Sequence, residues 1–203
     1  MNRDSTGETY EEPWHRTAAR GPVVQTLAAM LLASVVTWIG GAVGVIDPFV
    51  LGAPVFDPPW ALAVSVYAHA GPGHLLANAL LVAVAGTIVG RGCSTPRFHL
   101  FFLGTGMLAG VSEVWVGLAT GAPAGVLGSS GAAFALVGYV LAANPASGVV
   151  LRRLSGRAAV VLVAAVALVL TVVASAPGSA FVAHFTGGVL GLGAGRFRLL
   201  HRA

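Results

Sequence analysis

The sequence predicts an all-α, polytopic membrane protein with six transmembrane helices and both termini in the cytoplasm. Three observations lead to this fold class: the composition, the spacing of apolar runs and the distribution of arginine. Hydrophobic residues make up 56% of the 203 residues and charged residues 9%, and the mean hydropathy is +0.85. Such a composition is typical of a chain whose helices face lipid rather than water.

Six apolar runs are candidate transmembrane helices, because each approaches the ~20 residues that cross a hydrocarbon core of ~30 Å. In chain order they span residues 23–45, 74–89, 98–118, 126–143, 158–174 and 181–195. The first run follows an acidic stretch and is too long for a cleavable signal peptide, so it is interpreted as a retained helix. Residues 22–200 then form one six-helix membrane domain, and residues 1–21 form a polar, mobile cytoplasmic tail.

Arginine decides the orientation of these helices. All 11 basic residues are arginine, and every one falls in the N-terminal tail, the second or fourth connection, or the C-terminal segment. They are Arg3, Arg16, Arg20, Arg91, Arg97, Arg152, Arg153, Arg157, Arg196, Arg198 and Arg202. An arrangement with both termini inside places all of them in the cytoplasm, as the positive-inside rule predicts. Anionic lipid accounts for the basic pI, so no nucleic-acid partner is predicted.

The first external connection, residues 46–73, is too long for a turn. It contains Asp47, Pro48 and Pro58 before a partly apolar segment, 60–67, which we expect to lie in the membrane interface. The single cysteine, Cys93, falls on the cytoplasmic side. No disulfide framework and no thiolate metal site is therefore predicted.

Four polar side chains lie near the outer ends of three otherwise apolar runs. His74 and Asn78 are four residues apart near the start of the second run, Ser130 is near the start of the fourth, and His184 is near the start of the sixth. All three runs cross from outside to inside, so these groups share one depth in the membrane. Because buried polar groups cost free energy in hydrocarbon, their convergence predicts a functional site.

A serine hydroxyl beside an imidazole is the chemistry of a nucleophile and its base, and further donors can stabilise an oxyanion. Small residues would allow the close helix approach that so short a side chain requires. They are Gly131 and Ala135 on the fourth run and Gly187, Gly191 and Gly195 on the sixth. From the residues alone, Ser129 and Ser130 are equally good candidates for the nucleophile.

Three motifs in order resemble those of the rhomboid intramembrane serine proteases. Residues 128–131, Gly-Ser-Ser-Gly, resemble the family's G-x-S-G motif, and residues 74–78 resemble its H-x-x-x-N motif. Residues 183–191 resemble its A-H-x-x-G-x-x-x-G motif. The resemblance covers about residues 60–195, and three motifs on the appropriate runs are far more specific than any one of them.

The resemblance implies a six-helix rhomboid fold and hydrolysis of peptide bonds in or near transmembrane segments of protein substrates. It implies that Ser130 is the nucleophile and His184 the base, and that His74, Asn78 and the Ser130 N–H stabilise the oxyanion. The supporting positions that the resemblance implies are Gly128, Gly131, Phe134, Gly187 and Gly191. No cofactor and no metal is implied, and the fifth run with the 175–178 connection would act as the substrate gate and cap.

Two departures from the family pattern concern the first loop and the ring beside the base. Family members often carry Trp-Arg in the first loop, whereas Ala61 follows Trp60 here. A tyrosine commonly follows the nucleophile by one turn, where this chain has Phe134. The phenyl ring can still stack on His184, but it lacks the hydroxyl.

Three alternatives remain open from the sequence. The chain could be a rhomboid-like protein that binds membrane segments without cutting them, or a small transporter with a polar site within the membrane. The third alternative is a zinc site formed by His69, His74 and His184, although no H-E-x-x-H motif supports it. The location predicted for the chain is a cell membrane, and its composition favours a prokaryotic source.

Overall fold

The computed structural model of the chain describes residues 2–3, 9–10, 21–45, 49–122, 125–175 and 178–201. This part contains two short antiparallel strands, β1 (Asn2–Arg3) and β2 (Thr9–Tyr10), and eight α-helices. The helices are α1 (Pro22–Ala42), α2 (Ala61–Tyr67), α3 (Pro72–Gly90), α4 (Thr95–Ala119), α5 (Ser130–Ala143), α6 (Pro145–Arg153), α7 (Gly156–Ala174) and α8 (Phe181–Arg196). Most of the tail predicted for residues 1–21 lies outside the described residues.

The helical prediction is confirmed, because each of the six apolar runs overlaps one of these helices along most of its length. Four of them, α1, α3, α4 and α7, are long and apolar enough to cross a membrane. The other two are shorter: α5 is apolar and has 14 residues, and α8 has 16. The partly apolar segment predicted at residues 60–67 forms α2, a seven-residue helix.

The predicted start of the fourth helix was wrong, because this helix begins at Ser130 rather than at residue 126. Residues 125–129 precede α5 as a loop, in which Val126 forms an antiparallel bridge with Leu51. Both backbone hydrogen bonds of this bridge measure 2.8 Å. Hydropathy cannot reveal such long-range pairing, since the paired residues are as apolar as those of a helix. Ser130 is consequently the first residue of its helix.

Helix α5 occupies the centre of the molecule and packs against α3, α4 and α8. Nine of its 14 residues are buried, on all sides of the helix. By contrast, α1 and α7 carry exposed apolar side chains, such as Leu32 and Val173, as expected for helices that contact lipid. The largest cluster of buried side chains fills the space between α3, α4 and α5 and includes Phe98, Phe102 and Leu136.

Helices α5 and α8 run parallel with their backbones in direct apposition. A Cβ atom on Gly187 would collide with the carbonyl oxygen of Gly131, and one on Gly191 would collide with that of Ala135. Only glycine permits this approach, because the obstacle is backbone rather than a side chain that could move. The apposition brings the N-terminal ends of α5 and α8 together, and these ends carry Ser130 and His184.

Candidate active site

The loop before α5 is held on two sides. The Gly128 N–H donates to the Ser65 carbonyl of α2 at 2.8 Å, and the His74 ring of α3 packs against the Gly128 Cα. A Cβ atom at Gly128 would lie 2.8 Å from His74 Cε1. The φ angle of Gly128, +129°, is in the region that favours glycine. The first residue of the G-x-S-G motif therefore provides both a backbone conformation and space for an imidazole.

Ser129 and Ser130 have different environments, although the sequence alone could not separate them. Ser129 is fully buried and its hydroxyl is hydrogen-bonded to His69 Nε2 at 3.1 Å. Ser130 is half-buried and lines a small cavity together with Ser65, Gly131 and Ala183. Ser130 is therefore more accessible than Ser129, and it lines this cavity.

His184 lies in the first turn of α8 and is 6% exposed. Its ring stacks on Phe134, with the centroids 4.4 Å apart and the planes at 10°. Phe134 is one helical turn after Ser130, so Ser130 and Phe134 share a face of α5. The stacking therefore places the imidazole over the face of α5 that carries Ser130. The His184 Nδ1 atom is 2.6 Å from the Ser175 hydroxyl, at the end of α7.

His74 and Asn78 lie in the first two turns of α3. Besides its contact with Gly128, the His74 ring meets the His69 ring edge-on, with the two ring centroids 5.0 Å apart. Asn78 is buried, and its amide donates to the His74 carbonyl at 3.0 Å. The structure thus brings His74 beside the loop before Ser130, whereas it engages Asn78 with the backbone of its own helix.

One contact expected of a catalytic pair is absent. In the described part of the chain, no hydrogen bond joins the Ser130 hydroxyl to His184. In proteins that lack bound substrate, catalytic hydrogen bonds are often long and shorten only in the substrate complex. A rotation of the Ser130 side chain about its Cα–Cβ bond redirects the hydroxyl without moving either helix.

A model of the rhomboid domain family matches residues 57–201. This match covers α2 to α8 and includes all the motif residues. The chain belongs to the rhomboid family. No protein in the curated collection matches the chain.

The two departures from the rhomboid pattern have structural counterparts. Phe134 stacks on His184, so the aromatic contact is kept although the tyrosine hydroxyl is not. In the first loop, Ala61 is buried in α2 and Trp60 is exposed. The loop is fastened by backbone contacts instead of an arginine, namely the Leu51–Val126 bridge and the bond from Gly128 to Ser65.

His69, a zinc ligand in one of the alternatives left open by the sequence, forms hydrogen bonds that join several segments of the chain. It is fully buried, its Nδ1 is 3.0 Å from the Ser34 hydroxyl, and its Nε2 is 3.1 Å from that of Ser129. Its carbonyl accepts a 2.7 Å hydrogen bond from Trp38. Both ring nitrogens are occupied by serines, so the ring offers none to a metal ion. His69 connects α1 to the residue before Ser130.

We expect the stability of the protein to fall as the pH drops from about 6.5 to about 4, in part because of His69. Burial, with a smaller effect from His74, lowers the pKa of His69 from 6.5 to about 4. In this range the unfolded chain binds a proton at His69 that the folded chain does not, so acid favours unfolding. Thermal unfolding in detergent across this range should show a shallower pH dependence for His69→Gln than for wild type. Equal slopes would contradict the expectation.

Two side chains of α4 form hydrogen bonds with the N-terminal part of the helix that carries His184. Glu113 Oε2 accepts a 2.8 Å hydrogen bond from the Ala183 N–H, and the Ser112 hydroxyl donates to Thr186 Oγ1 at 3.1 Å. Ala183 is the third residue of α8, so its N–H has no partner within the helix. This role of Glu113 could not be predicted from the sequence, since only the folded structure brings α4 to this helix end.

Replacing Glu113 with alanine should lower the free energy of unfolding by about 1–2 kcal/mol, because the buried Ala183 N–H loses its acceptor. Glu113→Gln is the matched control, since it keeps an oxygen at the same reach and should lose less. Thermal unfolding of the purified protein measures both changes. An alanine variant as stable as the glutamine variant would show that the hydrogen bond contributes nothing.

Proposed function

We propose that the chain is an intramembrane serine endopeptidase that hydrolyses peptide bonds in or near transmembrane segments of membrane proteins. The observation that carries this proposal is the stacking of His184 on Phe134, one turn from Ser130, across the close α5–α8 contact. Membership of the rhomboid family supports it, because the resemblance implies that Ser130 and His184 form the catalytic dyad. The substrates are transmembrane proteins, and no cofactor is required.

In the proposed reaction the Ser130 oxygen attacks the scissile carbonyl while His184 takes the hydroxyl proton. The carbonyl oxygen becomes negative and accepts hydrogen bonds from the Ser130 N–H, from His74 and from Asn78. The Ser130 N–H is suited to this, because it is at the start of α5, where N–H groups have no intrahelical partner. His184 then returns the proton to the leaving amine. Water, activated by the same imidazole, hydrolyses the acyl-enzyme and frees Ser130.

The proposed topology has six transmembrane helices, α1, α3, α4, α5, α7 and α8, with both termini in the cytoplasm of a prokaryotic cell membrane. Helices α5 and α8 are shorter than a bilayer is thick, but they lie among the other helices rather than in lipid. Ser130 and His184 would then lie toward the outer face, where a cavity can admit water.

The alternative is a rhomboid-like protein that binds membrane segments without cutting them, and the missing hydrogen bond between Ser130 and His184 favours it. Incubation of the purified chain with a reporter transmembrane substrate separates the two functions. Cleavage by wild type, absent in Ser130→Ala, supports the protease. Capture of the uncut reporter by both proteins supports the binding function instead.

A further inference from the structure

The second ring nitrogen of His184 has a partner that no motif of the sequence indicated. Nδ1 is 2.6 Å from the hydroxyl oxygen of Ser175, the residue that follows α7. The imidazole is 6% exposed, so water does not readily replace this partner. One face of the ring stacks on Phe134, which offers no hydrogen-bond acceptor.

A general base must present a lone pair to the proton it removes. If His184 acts on Ser130 through Nε2, the single proton of the neutral ring has to be on Nδ1. The hydrogen-bond partner of Nδ1 determines which of the two nitrogens carries that proton. A serine oxygen can accept a hydrogen bond from an Nδ1–H group, as the carboxylate of a catalytic triad does. The carboxyl group described nearby, that of Glu113, bonds to the Ala183 N–H instead.

We infer that Ser175 is a positioning residue for catalysis, whose hydroxyl oxygen holds His184 in the Nδ1–H tautomer and fixes the orientation of its ring. This inference rests on the proposed protease function for its consequence in catalysis. The same hydrogen bond joins the C-terminal end of α7 to α8. Helix α7 has many exposed apolar side chains, and the bond from Ser175 to His184 is a polar contact between its C-terminal end and α8.

The tautomer can be measured without catalysis. In protein labelled with ¹⁵N-histidine, at a pH above the ~6.5 of free imidazole, the two nitrogens of a neutral ring have distinct NMR shifts. His184→Gln assigns the signals. We expect a protonated Nδ1 in wild type and in Ser175→Thr, and a substantial Nε2–H population in Ser175→Ala. A wild-type ring protonated on Nε2, or identical spectra for wild type and Ser175→Ala, would overturn the inference.

Kinetics supply the second readout. With a cleavable reporter, Ser175→Ala should lower kcat about tenfold with KM unchanged, because a hydrogen bond to the base is lost and substrate contacts are not. Ser175→Thr should restore most of the rate. Ser155→Ala is the matched control on α7, since the Ser155 hydroxyl caps the other end of this helix by accepting from Ala158 N–H, and it should keep the wild-type kcat.

The two experiments distinguish the possible failures. An inactive wild type with a protonated Nδ1 would refute the protease function and still support the role of Ser175 in setting the tautomer. An active wild type whose kcat is unaffected by Ser175→Ala would refute the role of Ser175 and leave the protease function intact.

Discussion

Ser130→Ala and His184→Ala should each abolish cleavage of a transmembrane reporter. The variant that carries both substitutions should be no slower than either single variant. Each replacement removes one half of a single proton-transfer unit, so the effects should not add. From serine proteases in general, each loss should be about 10⁴-fold or more in kcat. Initial rates with the purified variants in detergent, at equal concentrations of folded protein, give the comparison.

Ser129→Ala is the control for this experiment, because it makes the same substitution one residue away. Its hydroxyl is bonded to buried His69 rather than exposed to the cavity. We therefore expect a loss of stability of about 1–2 kcal/mol but substantial activity in the folded fraction. An active Ser130→Ala together with an inactive Ser129→Ala would assign catalysis to the buried Ser129–His69 pair and contradict the proposed dyad.

Gly191→Ala should be among the most destabilising small substitutions in the membrane domain. A Cβ atom at this position would collide with the backbone of Ala135, so α5 and α8 would have to separate. Overpacking against backbone costs about 3 kcal/mol, and the separation would also move His184 away from Ser130. Thermal unfolding monitored by circular dichroism and the cleavage rate should both report the change.

Gly193 provides a matched control on the same helix. A Cβ atom there would meet nothing within 4 Å, and alanine is a better helix former than glycine by about 1 kcal/mol. Gly193→Ala should therefore be as stable as wild type or slightly more stable. Equal melting temperatures for Gly191→Ala and Gly193→Ala would mean that the close α5–α8 contact is not required.

The helices could be predicted from composition because a lipid-facing helix must be apolar along its whole length. The start of α5 could not be predicted from composition, since Val126 is equally apolar whether it begins a helix or pairs with Leu51. Helix α6 was missed, although its first residues carry a recognisable signal. Asn144 caps the helix through its side chain, which accepts from the Ala146 N–H at 2.9 Å, and Pro145 follows it.

The candidate site shows the same division between local patterns and tertiary contacts. The motifs identified His74, Ser130 and His184 because their spacing along the chain is itself the signal. The residues next to Ser130 and His184 are bonded to distant parts of the sequence, as in the bonds of Ser129 to His69 and of Ala183 to Glu113. No local pattern encodes such pairs, because each depends on how two helices pack.

The proposed nucleophile is tested most directly by covalent labelling with a fluorophosphonate, followed by tandem mass spectrometry to locate the adduct. The dyad predicts a single adduct on Ser130 that is lost in Ser130→Ala and in His184→Ala and is retained in Ser129→Ala. An adduct on Ser129, or labelling of Ser130 that is unchanged in His184→Ala, would contradict the assignment of Ser130 and His184 as nucleophile and base.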